Sequence, residues 1–253
     1  MLQRMSKAAF DAQPELPPKF AAKPVVVVAA TGLRREALIV AGDGVYAIAC
    51  GGRADVLKRE LTRALDYSVC GIISVGICGA LSPALQPGDC IVASHVVTAH
   101  GRIPTDTKWT RRLRQSLPHA MEGGIAGSDT LLRTAAEKAG LFAQTGALAV
   151  DMESHVAAET AQRRGIPFAC LRCVADAAHT DLPHAALGAL TEDGRIAIGS
   201  VMRSVAMRPY QIPALVRAGR DSKAALYSLF RCRDVLGSSL AGPNFRKPAL
   251  DMA

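Results

Sequence analysis

The sequence predicts an α/β protein, with a central sheet flanked by helices, and three observations carry that expectation. An unbroken apolar run at residues 25–30 and short stretches rich in apolar and β-compatible residues at 72–75 and 168–174 read as strands covered on both faces. Between them lie stretches with apolar residues at helical spacing, such as Val56, Leu57, Leu61, Ala64 and Leu65. A chain of 253 residues is also long enough to bury an extensive core as one large domain.

Taken in order, residues 1–24 mix Lys, Pro, Gln and Ala without period, and Pro14, Pro17, Pro18 and Pro24 break any helix, so this part reads as a disordered or extended tail. Residues 25–30 are the first strand. They feed Thr31, Gly32, Leu33, Arg34, Arg35 and Glu36, then an apolar stretch at 37–40. A strand, a glycine turn and a helix start form a frequent anion-binding arrangement. No G-x-G-x-x-G or G-K-[ST] accompanies it, so a dinucleotide or P-loop site is poorly supported.

A helix is predicted over 54–65. The strand at 72–75 then runs into Gly76, Ile77, Cys78 and Gly79, read as a glycine-rich turn whose small residues let backbone amides approach a sugar or an anion. Another strand is expected at 90–97, and a loop over 126–132 contains Asp129, Leu131 and Leu132. The helix at 154–164 has Val156, Ala157, Thr160 and Ala161 at helical spacing and Arg163 and Arg164 at its negative end. Gly165 stops it and Pro167 prevents its resumption. Asp176 stands at the exit of the strand 168–174, where ligands of α/β sheets bind. A loop at 177–183 is long enough to fold over such a site, and a helical region follows near 196–207.

Residues 208–253 form a basic extension with helical pieces, in which Ala225, Leu226, Leu229 and Phe230 make an apolar stripe beside Lys223, Arg231 and Arg233. The stripe reads either as packing on the domain or as an interfacial surface or lid for a greasy substrate.

Charge narrows the partners. The chain carries a formal +8 at pH 7, much of it at Arg203, Arg208, Arg217, Arg220, Lys223, Arg231, Arg233, Arg246 and Lys247. With only six Phe, four Tyr and one Trp and no basic-aromatic motif, an anionic membrane surface ranks above nucleic acid, and no nucleic-acid partner is expected. Seven cysteines, an odd number, and the lack of a secretory segment near Met1 point to a reducing cytoplasm, with the inner membrane face as a possible location. Cys170 and Cys173 form a C-x-x-C, but residues three apart in a strand face opposite ways. The histidines lack ligand spacing too, so no metal site is expected.

The segment Val150-Asp151-Met152-Glu153, a helix, Pro167-Phe168, a strand and Asp176 resembles the ribose-binding and acid segment of the purine nucleoside phosphorylase and methylthioadenosine/S-adenosylhomocysteine nucleosidase superfamily. The run Gly76–Gly79 with Gly88-Asp89 is similar to its second glycine-rich turn. The resemblance covers nearly everything from Val25 to about Val205, and implies a three-layer nucleoside phosphorylase-like fold with a central mixed β-sheet. It makes 25–207 the phosphorylase/nucleosidase domain. Arg208-Pro209-x-Gln211-x-Pro213-x-Leu215, with Arg233 to Gly237, looks like the hopanoid-biosynthesis branch, which removes adenine from adenosylhopane.

By position, the resemblance implies that Asp176 is the acid at purine N7, that Met152 packs on the ribose and that Glu153 accepts its hydroxyls. Glu36 would activate water, or Arg34 and Arg35 would hold phosphate, with Gly76, Ile77, Cys78 and Gly79 lining that site. Asp129, Leu131 and Leu132 would meet the base. The family's Ser before the acid is Ala175 here, its phosphate-holding positions are Ser74 and Ile77, and its stacking aromatic is Leu131. No cofactor is implied, phosphate is a possible co-substrate, and the acceptor stays open between water and phosphate. The substrate would be a small-molecule or lipid-linked adenosine and the assembly a homo-oligomer. A non-catalytic nucleoside-binding sensor or scaffold is the alternative.

Overall fold

In the computed structural model, which describes residues 26–65, 69–186, 191, 194, 195 and 197–243, strands and helices alternate along most of the chain. The order is β1 (Val26–Thr31), α1 (Arg34–Val40), β2 (Val45–Ala49), α2 (Ala54–Ala64), β3 (Val69–Ala80), β4 (Cys90–Thr98), β5 (Gly101–Pro104), α3 (Thr107–Ser116), β6 (Met121–Gly127), α4 (Ala135–Thr145), β7 (Ala149–Asp151), α5 (Ser154–Arg164), β8 (Phe168–Asp176), α6 (Ile198–Met207) and α7 (Ile212–Leu236). The expected N-terminal tail, and Arg246 and Lys247, lie outside the described residues.

The sheet is mixed. β1 lies between β2 and β3, parallel to both. β3 pairs parallel with β8 and antiparallel with β7. β4 pairs parallel with β6 and antiparallel with β5 and β8, and β6 runs parallel to β7. The strands β3, β8, β4, β6 and β7 therefore close a circuit, while β1 and β2 extend from β3 as an open wing.

Helices form a layer on each side, as in the three-layer α/β arrangement. On one face Val56, Leu57 and Leu61 of α2 and Val156, Ala157 and Ala161 of α5 cluster with Val28, Ile72 and Cys170. On the other, Val40 of α1, Trp109 and Leu113 of α3, and Ala225, Leu229 and Leu236 of α7 cluster with Ile73, Leu171 and Cys173. Cys170 and Cys173 thus fall in opposite layers, as strand alternation requires. Cys173 instead meets Cys90 and Cys232, whose thiols lie 3.5 Å from one another.

Two expectations are corrected. The run expected to turn at Gly76 stays in β3 as far as Ala80, because β8 and β7 supply it with partners on both edges. The described part of the basic extension holds a short 3₁₀ helix at Pro209–Gln211 and then the 25-residue helix α7. Its Ala225, Leu229, Cys232 and Leu236 are buried on the sheet, whereas Phe230, expected on the same stripe, is exposed. Four residues that recur every three or four positions make a single seam, which leaves Phe230 on the solvent side.

Candidate active site

The end of β1 and the first turn of α1 place Glu36 inside the protein, at 1% exposure. Its Oε2 accepts from the backbone N–H groups of Gly32 at 2.9 Å and Leu33 at 2.7 Å, and its Oε1 accepts from Ile77 N–H in β3 at 2.7 Å. The first two bonds satisfy donors at the helix start that have no intrahelical partners, and the third ties Glu36 to the sheet. Burial pushes the Glu36 carboxyl up, while the Arg172 guanidinium and the three N–H groups pull it down.

Arg172 is fully buried in β8 and organises the acids around it. Its guanidinium meets Asp151 and donates to the Ser74 hydroxyl; Glu153 lies 3.3 Å away and the Ile77 carbonyl accepts at 3.4 Å. Burial pushes Glu153 up to about 8 against the pull of Arg172, with Asp151 and Glu36 raising it further. One guanidinium faces more than one carboxyl, so its pull only partly offsets the burial of Glu153.

Asp176 ends β8, four residues beyond Arg172 on the same strand. Its Oδ2 accepts from Lys138 of α4, a lysine only 1% exposed, which also donates to the carbonyls of Ala177 at 3.0 Å and Thr180 at 2.8 Å. Burial raises the Asp176 carboxyl and Lys138 lowers it. A cavity opens here, lined by Asp176, Lys138, Gly79, Met152, Leu131 and Leu132 together with Asp151. Asp151 belongs to both halves, because it lines the cavity and also pairs with Arg172.

Each acid expected to act on the ligand rests on a glycine that a side chain would displace. A β-carbon at Gly32 would lie 2.6 Å from Glu153 Oε1, one at Gly76 2.8 Å from the Glu36 carboxyl, and one at Gly79 3.0 Å from Asp176 Oδ2. A side chain at any of these positions would force the facing carboxyl to shift.

The other expected residues divide. Met152, Leu131, Leu132 and Gly79 line the Asp176 cavity, and Gly76 and Ile77 lie against Glu36. Asp129 does not reach the cavity. Ser128 Oγ donates to the Thr130 carbonyl and turns the loop outward, leaving Asp129 exposed and 3.0 Å from His155 Nε2. Arg35 is exposed on α1. Arg34 is buried, and its N–H donates to the Gly194 carbonyl at 3.0 Å. Cys78 is buried, and burial holds its thiol well above the ordinary range.

Arg172 and Lys138 were missed from the sequence. Arg172 had a legible signal, since a lone cation inside an apolar strand, four residues before Asp176, shares that acid's strand parity. Lys138 had none, because a lysine in a helix of mixed polarity reads as solvated.

An α/β sheet whose strand ends hold buried acids around a small cavity has the form of an enzyme site. The profile of the Phosphorylase superfamily matches residues 21–206, and the chain belongs to that family. No curated protein matches the chain.

Among solved structures, it is similar to a Streptococcus pneumoniae MTA/SAH nucleosidase in complex with 8-aminoadenine, with 16% identity, 82% of this chain and 99% of that one covered, and a TM-score of 0.58. A Helicobacter pylori MTAN mutant with 5′-methylthioadenosine in its active site gives 16%, 81%, 96% and 0.56 in the same order. The Helicobacter pylori futalosine hydrolase gives 17%, 82%, 98% and 0.55. At these identities the similarity establishes the fold.

Proposed function

We propose that this protein hydrolyses the N-glycosidic bond of a 5′-substituted adenosine and releases adenine, with water rather than phosphate as the acceptor. The observation that carries the choice of water is the first turn of α1. Its Gly32 and Leu33 N–H groups are engaged by Glu36 and its Arg34 N–H by Gly194, so the amides an incoming phosphate needs are already bonded within the chain. A buried carboxyl at the same place also repels an anion.

Breaking the bond leaves positive charge on the ribosyl ring and negative charge on the purine. In this reading Asp176 protonates N7 as the electron pair moves onto the base. Met152 packs on the sugar and Glu153 accepts from its hydroxyls beneath the developing cation. Glu36 takes the proton of the attacking water, and later passes it to solvent. The similar nucleosidase structures, with an adenine derivative or methylthioadenosine bound, support an adenosine-type substrate.

A lipid-linked adenosine such as adenosylhopane, giving a ribosyl hopane, is the 5′-substituted substrate we favour. Its support is the outer surface of α6 and α7, where exposed Met207, Tyr210, Ile212 and Val216 alternate with Arg203, Arg217 and Arg220. That pattern suits an anionic membrane surface. Among the described residues no helix is long and apolar enough to cross a membrane.

Incubation with methylthioadenosine, and with adenosylhopane in anionic vesicles, tests the reading by chromatographic detection of adenine. Release from both is expected, with the lipid the better substrate. No adenine from either removes the proposal, and release from methylthioadenosine alone removes the lipid.

A further inference from the structure

Lys138 is a buried cation that lines the cavity beside Asp176 and has no role in the proposed reaction. It rises from α4, whose start is fixed by a reciprocal cap: Thr134 Oγ1 accepts from Glu137 N–H at 3.2 Å, and Glu137 Oε2 accepts from Thr134 N–H at 2.9 Å. Asp181 Oδ1 then accepts from Ala135 N–H at 2.7 Å, and Leu182 N–H donates to the Arg133 carbonyl at 2.8 Å. The loop after Asp176 is therefore tied to the helix that carries the lysine.

An ammonium has three protons, and Lys138 donates to three oxygens, those of Asp176, Ala177 and Thr180. Among them only Asp176 is ionisable. Burying a lysine is costly unless its charge is matched, so the structure commits this cation to that one carboxyl. Lys138 engages Oδ2, and Oδ1 accepts from no described residue, so Oδ1 remains for a ligand in the cavity that both side chains line.

We propose that Lys138 is a positioning residue that orients Asp176 and stabilises the carboxylate formed when Asp176 gives its proton to the leaving base. This rests on the reading of Asp176 as the acid. The C1′–N bond breaks, its electrons pass to the purine, and the proton moves from Asp176 to N7. Lys138 keeps all its protons and pairs with the new carboxylate, and solvent reprotonates Asp176 after adenine leaves. Without the ammonium, that carboxylate would form in a poorly solvated strand end with Asp221 as the other charge acting on it, and that charge opposes its formation.

The test compares Lys138→Met, Lys138→Gln and Asp176→Asn with the intact chain, by pH profiles of kcat and KM for methylthioadenosine. Removing the ammonium should lower the maximum of the kcat profile by about tenfold to a hundredfold, since a positioned acid contributes about 10² to 10⁴. KM should change less than threefold. The alkaline limb should move up by about one pH unit or more, because an adjacent opposite charge holds a carboxyl down by about that much.

Lys138→Gln keeps a donor without the charge and should show the same limb shift with a smaller loss of kcat; it also serves if the Met variant does not fold. A limb that stays in place in both variants, or a loss carried by KM alone, overturns the role of Lys138. Full activity in Asp176→Asn would instead remove the acid assignment itself, so the two failures are distinguishable.

Discussion

A β-carbon at position 76 would stand 2.8 Å from the carboxyl atoms of Glu36, so it is Gly76 that lets this acid lie against β3 and accept from Ile77 N–H. Gly76→Ala should push the carboxyl off its three donors. The expected result is a loss of adenine release of about tenfold to a hundredfold, about 1.4–2.7 kcal/mol of barrier, in a protein that circular dichroism shows to be folded. Unchanged turnover would mean that the Glu36 position is irrelevant to the reaction.

Among the described residues Arg172 is the cation that meets Asp151 and Glu153, and removing it strands both acids. Arg172→Met should destabilise the fold by about 3–5 kcal/mol, as expected for one partner of a buried ion pair. Adding Asp151→Asn and Glu153→Gln should recover part of that loss, and urea unfolding of the three proteins measures it. A single variant as stable as the parent would contradict the pairing.

Burial raises both Glu36 and Asp176. Asp176 acts protonated, so its contribution is present below its raised pKa and is lost as pH climbs through it. Glu36 acts ionised, so its contribution is lost as pH falls through its own. The profile of kcat/KM should be a bell with both limbs above about 4, the ordinary carboxylate range. A rate that keeps rising through pH 9 would exclude a carboxylic acid as the proton donor.

Trp109 is fully buried, and its indole N–H donates to the Leu240 carbonyl at 3.0 Å, while Gly71 leaves room for its ring. It joins the segment after α7 to the sheet. Trp109→Ala should cost about 3–5 kcal/mol by thermal or urea unfolding. Removing everything after Met207 would likewise strip buried Ala225, Leu229, Cys232 and Leu236 from the core. The lipid preference is therefore better tested at exposed positions: Tyr210→Ser with Ile212→Ser should lower the rate on adenosylhopane in vesicles and spare methylthioadenosine.

Much of this architecture was legible because local signals agreed with it. α5 runs over the residues its spacing marked and stops at Gly165, which adopts φ 63°. The apolar runs became strands, and Met152, Leu131, Leu132 and Asp176 line one cavity. The glycine run 76–79 misled because small residues suit a turn as well as a strand, and only pairing with β7 and β8 decides between them. Lys138 and Asp176 are 38 residues apart, and no periodicity reports such a pairing. Asp129 is exposed beside His155 for a local reason, the turn in which Ser128 Oγ donates to the Thr130 carbonyl.

Adenine release from methylthioadenosine in phosphate-free buffer, for the intact chain beside Glu36→Gln and Asp176→Asn, tests the central claim most directly. Steady release by the intact chain, unchanged when phosphate is added and abolished in both variants, is the expected result. Release that requires phosphate, or that survives either substitution, would contradict it.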